Sequence, residues 1–390
     1  MKEIETEILI IGSGLVGLVV AHSLSSLNYK LTIVDRKKTI DTKKYFSDTR
    51  TTAVSEGSKI FLEKLSLWSF LEPYCEPIKQ IKVYDRSSKN KILFNNYKED
   101  SNLGYVIENK IFSKILLDKL KNKKNTNVLF DQDVKKIQLD ENNAKAYLQK
   151  YKITSKLIVS ADGKNSNVKK MVGNKTYKKI YSENALVLNF SHETSLNNIA
   201  YEAFLNTGPL AILPMKSFKQ YFKSTLIWSN KPEFLKKLND LDNRFIANFI
   251  EEKIGSIVGK IIKVNTKQIF PLSAHINESF INKRLVYVGD SAHSIHPIAG
   301  QGWNLGVSDV KNLHEICIKS KEAIGSDLFC KKYNYLSYNK AFQLYQITDK
   351  LNSHFKINNR LYRKLSNIGF SFIDNTDLIR NKIAKYAMGI

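Results

Sequence analysis

Cysteine and proline are both scarce in this 390-residue chain, at three and seven residues. Cys75, Cys317 and Cys330 stand alone, an odd number with no C-x-x-C pair. They offer no disulfide framework and fit a reduced, cytosolic compartment rather than secretion. No proline-rich linker, internal repeat or homopolymeric tract divides the chain. No uninterrupted apolar run is long enough to span a bilayer. The run from Ile8 to Ala21 is broken by Gly12, Gly14 and Gly17 and follows "MKEIETE". That opening is mostly acidic, where a secretory signal needs a basic start. Acidic residues are also few, 37 against 61 Lys and Arg, which leaves a net charge of +24. Such a balance admits nucleic acid, an anionic membrane or acidic ligands. The lysines are spread rather than clustered, however, and Asn and Ile are abundant too, so compositional bias accounts for much of the excess.

What is present is ample for a packed globular protein: 43% apolar residues, with 19 Tyr and 20 Phe. The length predicts two domains and a helical tail. "TEILIIGSGLVGLVVAHSLSSLNYKLTIVDR" reads as strand, turn, helix, strand, a βαβ unit at the start of the chain. Helices are predicted over 55–67, 109–120, 232–254 and 304–320, and largely over 327–390. Between 176 and 269 alternation dominates, as in antiparallel strands of a separate sheet. The fold class is therefore α/β: a Rossmann-like nucleotide domain (1–75, 105–175, 275–330) interleaved with an antiparallel sheet domain (76–104, 176–274). C-terminal helices (331–390) follow.

Three strand ends carry the chemistry. Gly12-Ser13-Gly14-Leu15-Val16-Gly17 is G-x-G-x-x-G between a buried strand and a helix, and the next strand ends in Asp35. Gly12 and Gly14 permit a tight turn and close approach of a pyrophosphate, and Gly17 close helix–strand packing. The helix N-terminus favours the phosphate charge, and Asp35 can accept from a ribose hydroxyl while repelling a 2′-phosphate. Asp162-Gly163 ends another buried strand, and Gly289-Asp290 a third. A carboxylate at Asp290 can accept several hydrogen bonds from a polyol; FAD has a ribityl chain that needs such a partner and NAD does not.

With these residues in place, the chain resembles the group A flavoprotein aromatic hydroxylases of the para-hydroxybenzoate hydroxylase type. Within them it most resembles the ubiquinone-biosynthesis (UbiH-type) hydroxylases. "GSGLVGLVVAHSL", "DTRTTAVSEGSKIFLEKLSLW", "GPLAILPM", "VGDSAHSIHPIAGQGWNLGVSDV" and the terminal "AMG" fall in that family's order. The resemblance implies FAD as cofactor, NAD(P)H as reductant and O2 as co-substrate. It implies hydroxylation of a polyprenylated phenol through a flavin C4a-hydroperoxide, with no side chain acting as catalyst. It assigns the pyrophosphate to Gly12, Gly14, Leu15 and Gly17, the adenosine ribose to Asp35, and the adenine to the Val134 backbone. Arg50 would lie near the flavin, Asp162 and Gly163 would help place FAD, and Asp290 would hold the ribityl chain. Pro297, Gly300, Gln301 and Gly302 would line the flavin ring, with Asn304 and Leu305 opening the next helix. Lys169 and Lys110 stand where the family usually has Arg, and Lys lacks the bidentate fork.

A wall for the prenylated ring is expected from Phe204, Leu210, Ile212, Pro214, Trp228 and Phe270, residues that serve equally as core. His293 and His296 form H-x-x-H, but no nearby Cys or His completes a metal set, so turn packing near the flavin is expected instead. Arg86 and the lysines of 79–91 are expected on a solvated surface. The long prenyl tail implies a cytoplasmic protein at the inner membrane surface, alone or in a quinone-biosynthesis complex. Two readings compete with hydroxylation: a flavin-dependent prenyl-chain reductase, separated by its independence of O2, and a basic nucleic-acid-binding or scaffold protein. The strand-end motifs argue against the latter, so no nucleic acid is expected. Oligomeric state is not legible in the sequence.

Overall fold

The computed structural model describes residues 1–37, 48–85, 91–95, 101–218, 220–355, 357 and 360–389. Arg86 lies outside them. A six-stranded sheet forms the centre, in the order Ile281–Asn282, Leu285–Tyr287, Leu157–Ser160, Ile8–Ile11, Leu31–Val34, Thr126–Leu129. All pairs are parallel except the antiparallel Ile281–Asn282 edge. Every residue of Ile8–Ile11, Leu31–Val34 and Leu157–Ser160 is buried. Continuous apolar runs suit this position, because a central parallel strand is covered on both faces. The in-register pairing Leu157↔Ile8↔Leu31 brings the carboxyl ends of three strands to one edge. Ligand crevices of open α/β sheets lie at that edge.

The helix Leu15–Ser25 packs between the helices Asn109–Lys121 and Gln301–Lys319. A four-stranded sheet (Lys2–Glu5, Tyr151–Ser155, Ala144–Leu148, Val134–Leu139) and a three-stranded one (Thr51–Ser55, Gly104–Glu108, Glu76–Ile78) flank this layer.

An eight-stranded sheet runs from His293–Ser294 through Ile261–Asn277, Thr176–His192, Phe222–Asn230, Gly208–Met215 and Ile199–Leu205 to Gln80–Asp85 and Lys91–Asn95. It is antiparallel apart from the Ile199–Leu205 and Gln80–Asp85 pair. One face is covered by two helices, Pro232–Asp240 and Asn243–Ile254. The single helix expected over 232–254 is thus broken. Asp242 accepts from the Arg244 backbone N–H at 2.8 Å and caps a new start; Asp is stronger as an N-cap than inside a helix. Similarly Ser55 accepts from the Ser58 N–H and starts Glu56–Lys64 one residue later than expected. The long helix opens at Gln301, so Asn304 and Leu305 sit in its first turns rather than at its start. Three helices, Asp327–Phe355, Arg360–Asn375 and Asp377–Met388, close the chain. Among the described residues no helix is long and apolar enough to cross a membrane.

Candidate cofactor site

The glycines of the first turn are held by contact. A Cβ on Gly12 would lie 2.4 Å from the Ala161 carbonyl oxygen, and φ there is +105°. A Cβ on Gly17 would lie 2.1 Å from the Gly12 carbonyl oxygen. Gly14 is different: a Cβ would meet nothing within 4 Å. Its exposed backbone opens onto a cavity of about 210 Å³, while the half-buried Leu15 and the buried Gly17 lie outside its lining.

That cavity gathers Gly12, Gly14, Asp35, Val134, Asp162 and Gly163 from four separate segments. Asp35 is oriented by its own turn. Its Oδ2 accepts from the Ser13 N–H at 2.7 Å and the Ser13 hydroxyl at 2.6 Å, and its Oδ1 accepts from the Lys37 N–H at 2.8 Å. The Asp162 carboxylate serves its own loop, accepting from the Ser160 hydroxyl at 2.8 Å and from the N–H groups of Asn167 and Val168 at 2.8 and 3.2 Å. It therefore holds the first two N–H groups of Asn167–Val172, beside the Ser166 N-cap that takes the Lys169 N–H, and shapes the cavity wall. Gly163, at φ +82°, leaves that wall open. Arg36, Lys37, Gln132 and Asn165 also line the cavity. Sequence reasoning missed them, because loop residues without a motif carry no spacing signal. Of the two departures from the family pattern, Lys110 pairs with Glu108 at 2.8 Å. Burial holds the Lys169 ammonium below its ordinary range, against the pull of Asp162.

A second group follows the neighbouring strand Leu285–Tyr287. The Asp290 side chain is exposed and accepts no hydrogen bond from the described residues. The protein around it is dense, so burial raises its carboxyl above the ordinary range, against the opposing pull of His293, Arg50 and Lys164. An acceptor of this kind is satisfied by hydroxyl donors from a ligand. The turn that presents it is braced from behind. Buried Asp309 accepts from the Gly289 N–H at 2.9 Å and pairs with His293 Nε2 at 2.7 Å through the same oxygen. Asp309 was not legible as a site residue because it looks like any helical acid. His293 and His296 part company: His296 packs edge-on against Tyr181 at 4.9 Å. Arg50 grips Asp48 through Nε at 2.9 Å and Nη2 at 2.7 Å, and its guanidinium lies 5.4 Å from the half-buried Phe270 ring.

The loop before the long helix is pinned to Thr51–Ser55 by Asn304. Its Nδ2 donates to the Ala53 carbonyl at 2.9 Å, and its Oδ1 accepts from the Ser55 N–H and Ser58 hydroxyl, each at 2.9 Å. Asn304 is thus committed to the protein, and Leu305 is buried. Pro297 begins the turn, Gly300 supplies its left-handed residue at φ +61°, and Gly302 has open space around it. Gln301 Nε2 donates to the Ala387 carbonyl at 3.1 Å, tying the loop to the last helix.

The expected substrate wall divides. Leu210, Ile212 and Trp228 belong to the core beneath Pro232–Asp240 and Asn243–Ile254. Register explains the correction: Leu210 pairs with Trp228 and Ile212 with Leu226, so all share the helix-covered face. Pro214 is buried beside a pocket of about 20 Å³ with His192 and Phe222. Phe204 lies on the opposite face, packed with Ile298 of the turn after Pro297.

Fold and site together define a dinucleotide-type flavoprotein, and the chain belongs to the FAD binding domain family, whose model matches residues 5–328. It is similar to the ubiquinone hydroxylase UbiL of Rhodospirillum rubrum, at 26% identity over 98% of this chain and 89% of that protein. It is also similar to 3-demethoxyubiquinol 3-hydroxylase of Escherichia coli, at 24% identity over 99% of each. Among solved structures, p-nitrophenol 4-monooxygenase of Pseudomonas putida shares the fold, with a TM-score of 0.78 at 16% identity, over 100% of this chain and 99% of that one. The resemblance read from the sequence, to flavin-dependent aromatic hydroxylases of the ubiquinone-biosynthesis type, is borne out.

Proposed function

We propose that this protein is an FAD-dependent monooxygenase that hydroxylates the aromatic ring of a polyprenylated phenol in ubiquinone biosynthesis. One observation supports it most: the glycine turn, Asp35, Asp162-Gly163 and Gly289-Asp290 all lie at the carboxyl edge of one sheet. The similarity to ubiquinone hydroxylases over nearly the whole chain then narrows the chemistry, and the nucleic-acid-binding and prenyl-reductase readings are not favoured.

The residues fit FAD. The pyrophosphate would take the open backbone at Gly14 and Leu15, while Gly12 and Gly17 keep the turn tight. The ribose would take Asp35, whose orientation Ser13 already holds. The adenine would lie along Val134, and the ribityl hydroxyls would satisfy Asp290. Arg50 and the Pro297–Gly302 loop would border the ring system. When bound, FAD would supply the redox chemistry, with NAD(P)H as reductant and O2 as co-substrate; the protein's part is to position it and keep water out. On this reading residues 1–75, 105–175 and 275–330 serve the cofactor. The eight-stranded sheet, with the C-terminal helices, closes over the substrate.

A prenyl tail would draw the protein to a membrane surface. Exposed Ile368, Phe372, Leu378, Ile383 and Tyr386 on the last two helices, with the +24 charge, support this contact. The function is tested by purifying the protein, scanning for flavin absorbance and supplying NAD(P)H, O2 and a short-chain prenylphenol. A yellow protein that forms hydroxylated product only with O2 is expected. A colourless chain that FAD does not reconstitute overturns the proposal.

A further inference from the structure

The face of the eight-stranded sheet opposite the two covering helices carries a carboxylate that the proposed reaction has not used. Glu202 sits mid-strand in Ile199–Leu205, and alternation puts it on the same face as Ala200 and Phe204. Ala200 packs in one apolar cluster with Met215 and Met388, and Phe204 in another with Ile298 and Phe370. The register partners of Glu202 are Val83 on one side and Ala211 on the other. The carboxylate therefore stands between two apolar clusters, one of which includes Ile298 of the Pro297–Gly300 turn.

No hydrogen bond from the described residues reaches Glu202. Its strand partners Val83 and Ala211 carry no titratable group, part of its surface stays open, and desolvation by the surrounding protein pushes its carboxyl up to about 8. An unpaired carboxyl in apolar surroundings is costly. That cost is offset when a ligand brings the donor.

We propose that Glu202 contacts the substrate, accepts the hydrogen bond of its phenolic hydroxyl and draws off that proton. This rests on the phenol-hydroxylase reading above. In the step the phenolic O–H bond breaks, an O–H bond forms on the Glu202 carboxylate, and the negative charge passes to the ring oxygen. Total charge is unchanged, and the ring carbons ortho and para to that oxygen become more nucleophilic.

The test uses the full-length FAD-loaded protein without reductant, so that nothing turns over. Binding of 2-farnesylphenol is compared with binding of its methyl ether between about pH 6 and 9, a span set by the Glu202 titration. The wild type should prefer the phenol by about 10- to 100-fold at the upper end, the worth of a charge-assisted hydrogen bond. The preference should shrink as the pH falls through about 8. E202Q should keep its FAD, lose most of the preference and show a flat profile, whereas E202D should retain the pH dependence. Wild-type preference and pH dependence in E202Q would overturn the proposal. So would a wild type that binds phenol and ether equally at every pH, a measurement that needs no variant to fold. A wild type that binds neither compound would overturn the hydroxylase reading, and the proposal with it.

Discussion

At the scale of single residues, three glycines of one motif do three different jobs. Gly12 and Gly17 are required by backbone oxygens within 2.4 and 2.1 Å of any added Cβ, whereas Gly14 borders open space. Gly12→Ala combines overpacking with a strained positive φ and should cost at least about 2 kcal/mol. Gly14→Ala should leave the unfolding midpoint of the FAD-free protein unchanged while weakening FAD retention. Denaturant melts and flavin content of both variants separate the two roles; equal loss of stability would refute the distinction. His275 supplies a pH dependence. It is buried, and desolvation, with the nearby ammonium groups of Lys169 and Lys164, lowers its pKa from the ordinary 6.5 to about 3. The unfolded chain therefore takes a proton below pH 6.5 that the folded chain refuses. This contribution to stability is whole above pH 6.5 and is lost progressively as the pH falls toward 3. Burial shifts His22, His192 and His314 in the same direction. Urea midpoints should fall between about pH 7 and 5, less steeply in H275Q; a flat profile would count against the assignment.

At the scale of elements, caps and glycine contacts decide where helices begin and what they touch. Asp242 splits one amphipathic pattern into two helices, each laying its apolar side on the eight-stranded sheet. The last helix, Asp377–Met388, docks on Glu56–Lys64 at a glycine contact: a Cβ on Gly57 would lie 2.4 Å from the Gly389 carbonyl oxygen. Backbone cannot yield there as a side-chain end can. Gly57→Ala should therefore loosen the last helix at a cost of about 1–3 kcal/mol and speed its removal in limited proteolysis. The Gln301–Ala387 hydrogen bond links that helix to the loop assigned to the flavin, so FAD retention should fall too. A variant that resists protease like the wild type would show that the contact is not needed.

At the scale of the whole molecule, the exposed apolar side chains of the last helices accompany a strongly basic chain. Binding to vesicles containing anionic lipid should therefore fall as salt rises, because screening removes the electrostatic part. Binding to uncharged vesicles should be weak throughout, and equal binding to both would remove charge from the account. The cofactor layer was legible in the sequence because its signals are local. Glycine spacing, an unbroken apolar strand and an acid at the strand's end lie within a few residues of each other, and short-range sterics and parallel burial leave few alternatives. Asp309, Lys37 and Glu202 carry no such signal. Their importance comes from a Gly289 amide, a cavity wall and an apolar sheet face that the chain reaches only by folding. The substrate wall shows the limit most clearly. Leu210 and Phe204 are equally apolar and lie in paired strands, yet one faces the covering helices and the other the cofactor loop. Composition and order sufficed to determine that this chain builds a dinucleotide crevice. Which side of the second sheet meets the Pro297–Gly300 turn was decided only in three dimensions, by strand register and by the helices that claimed the other face.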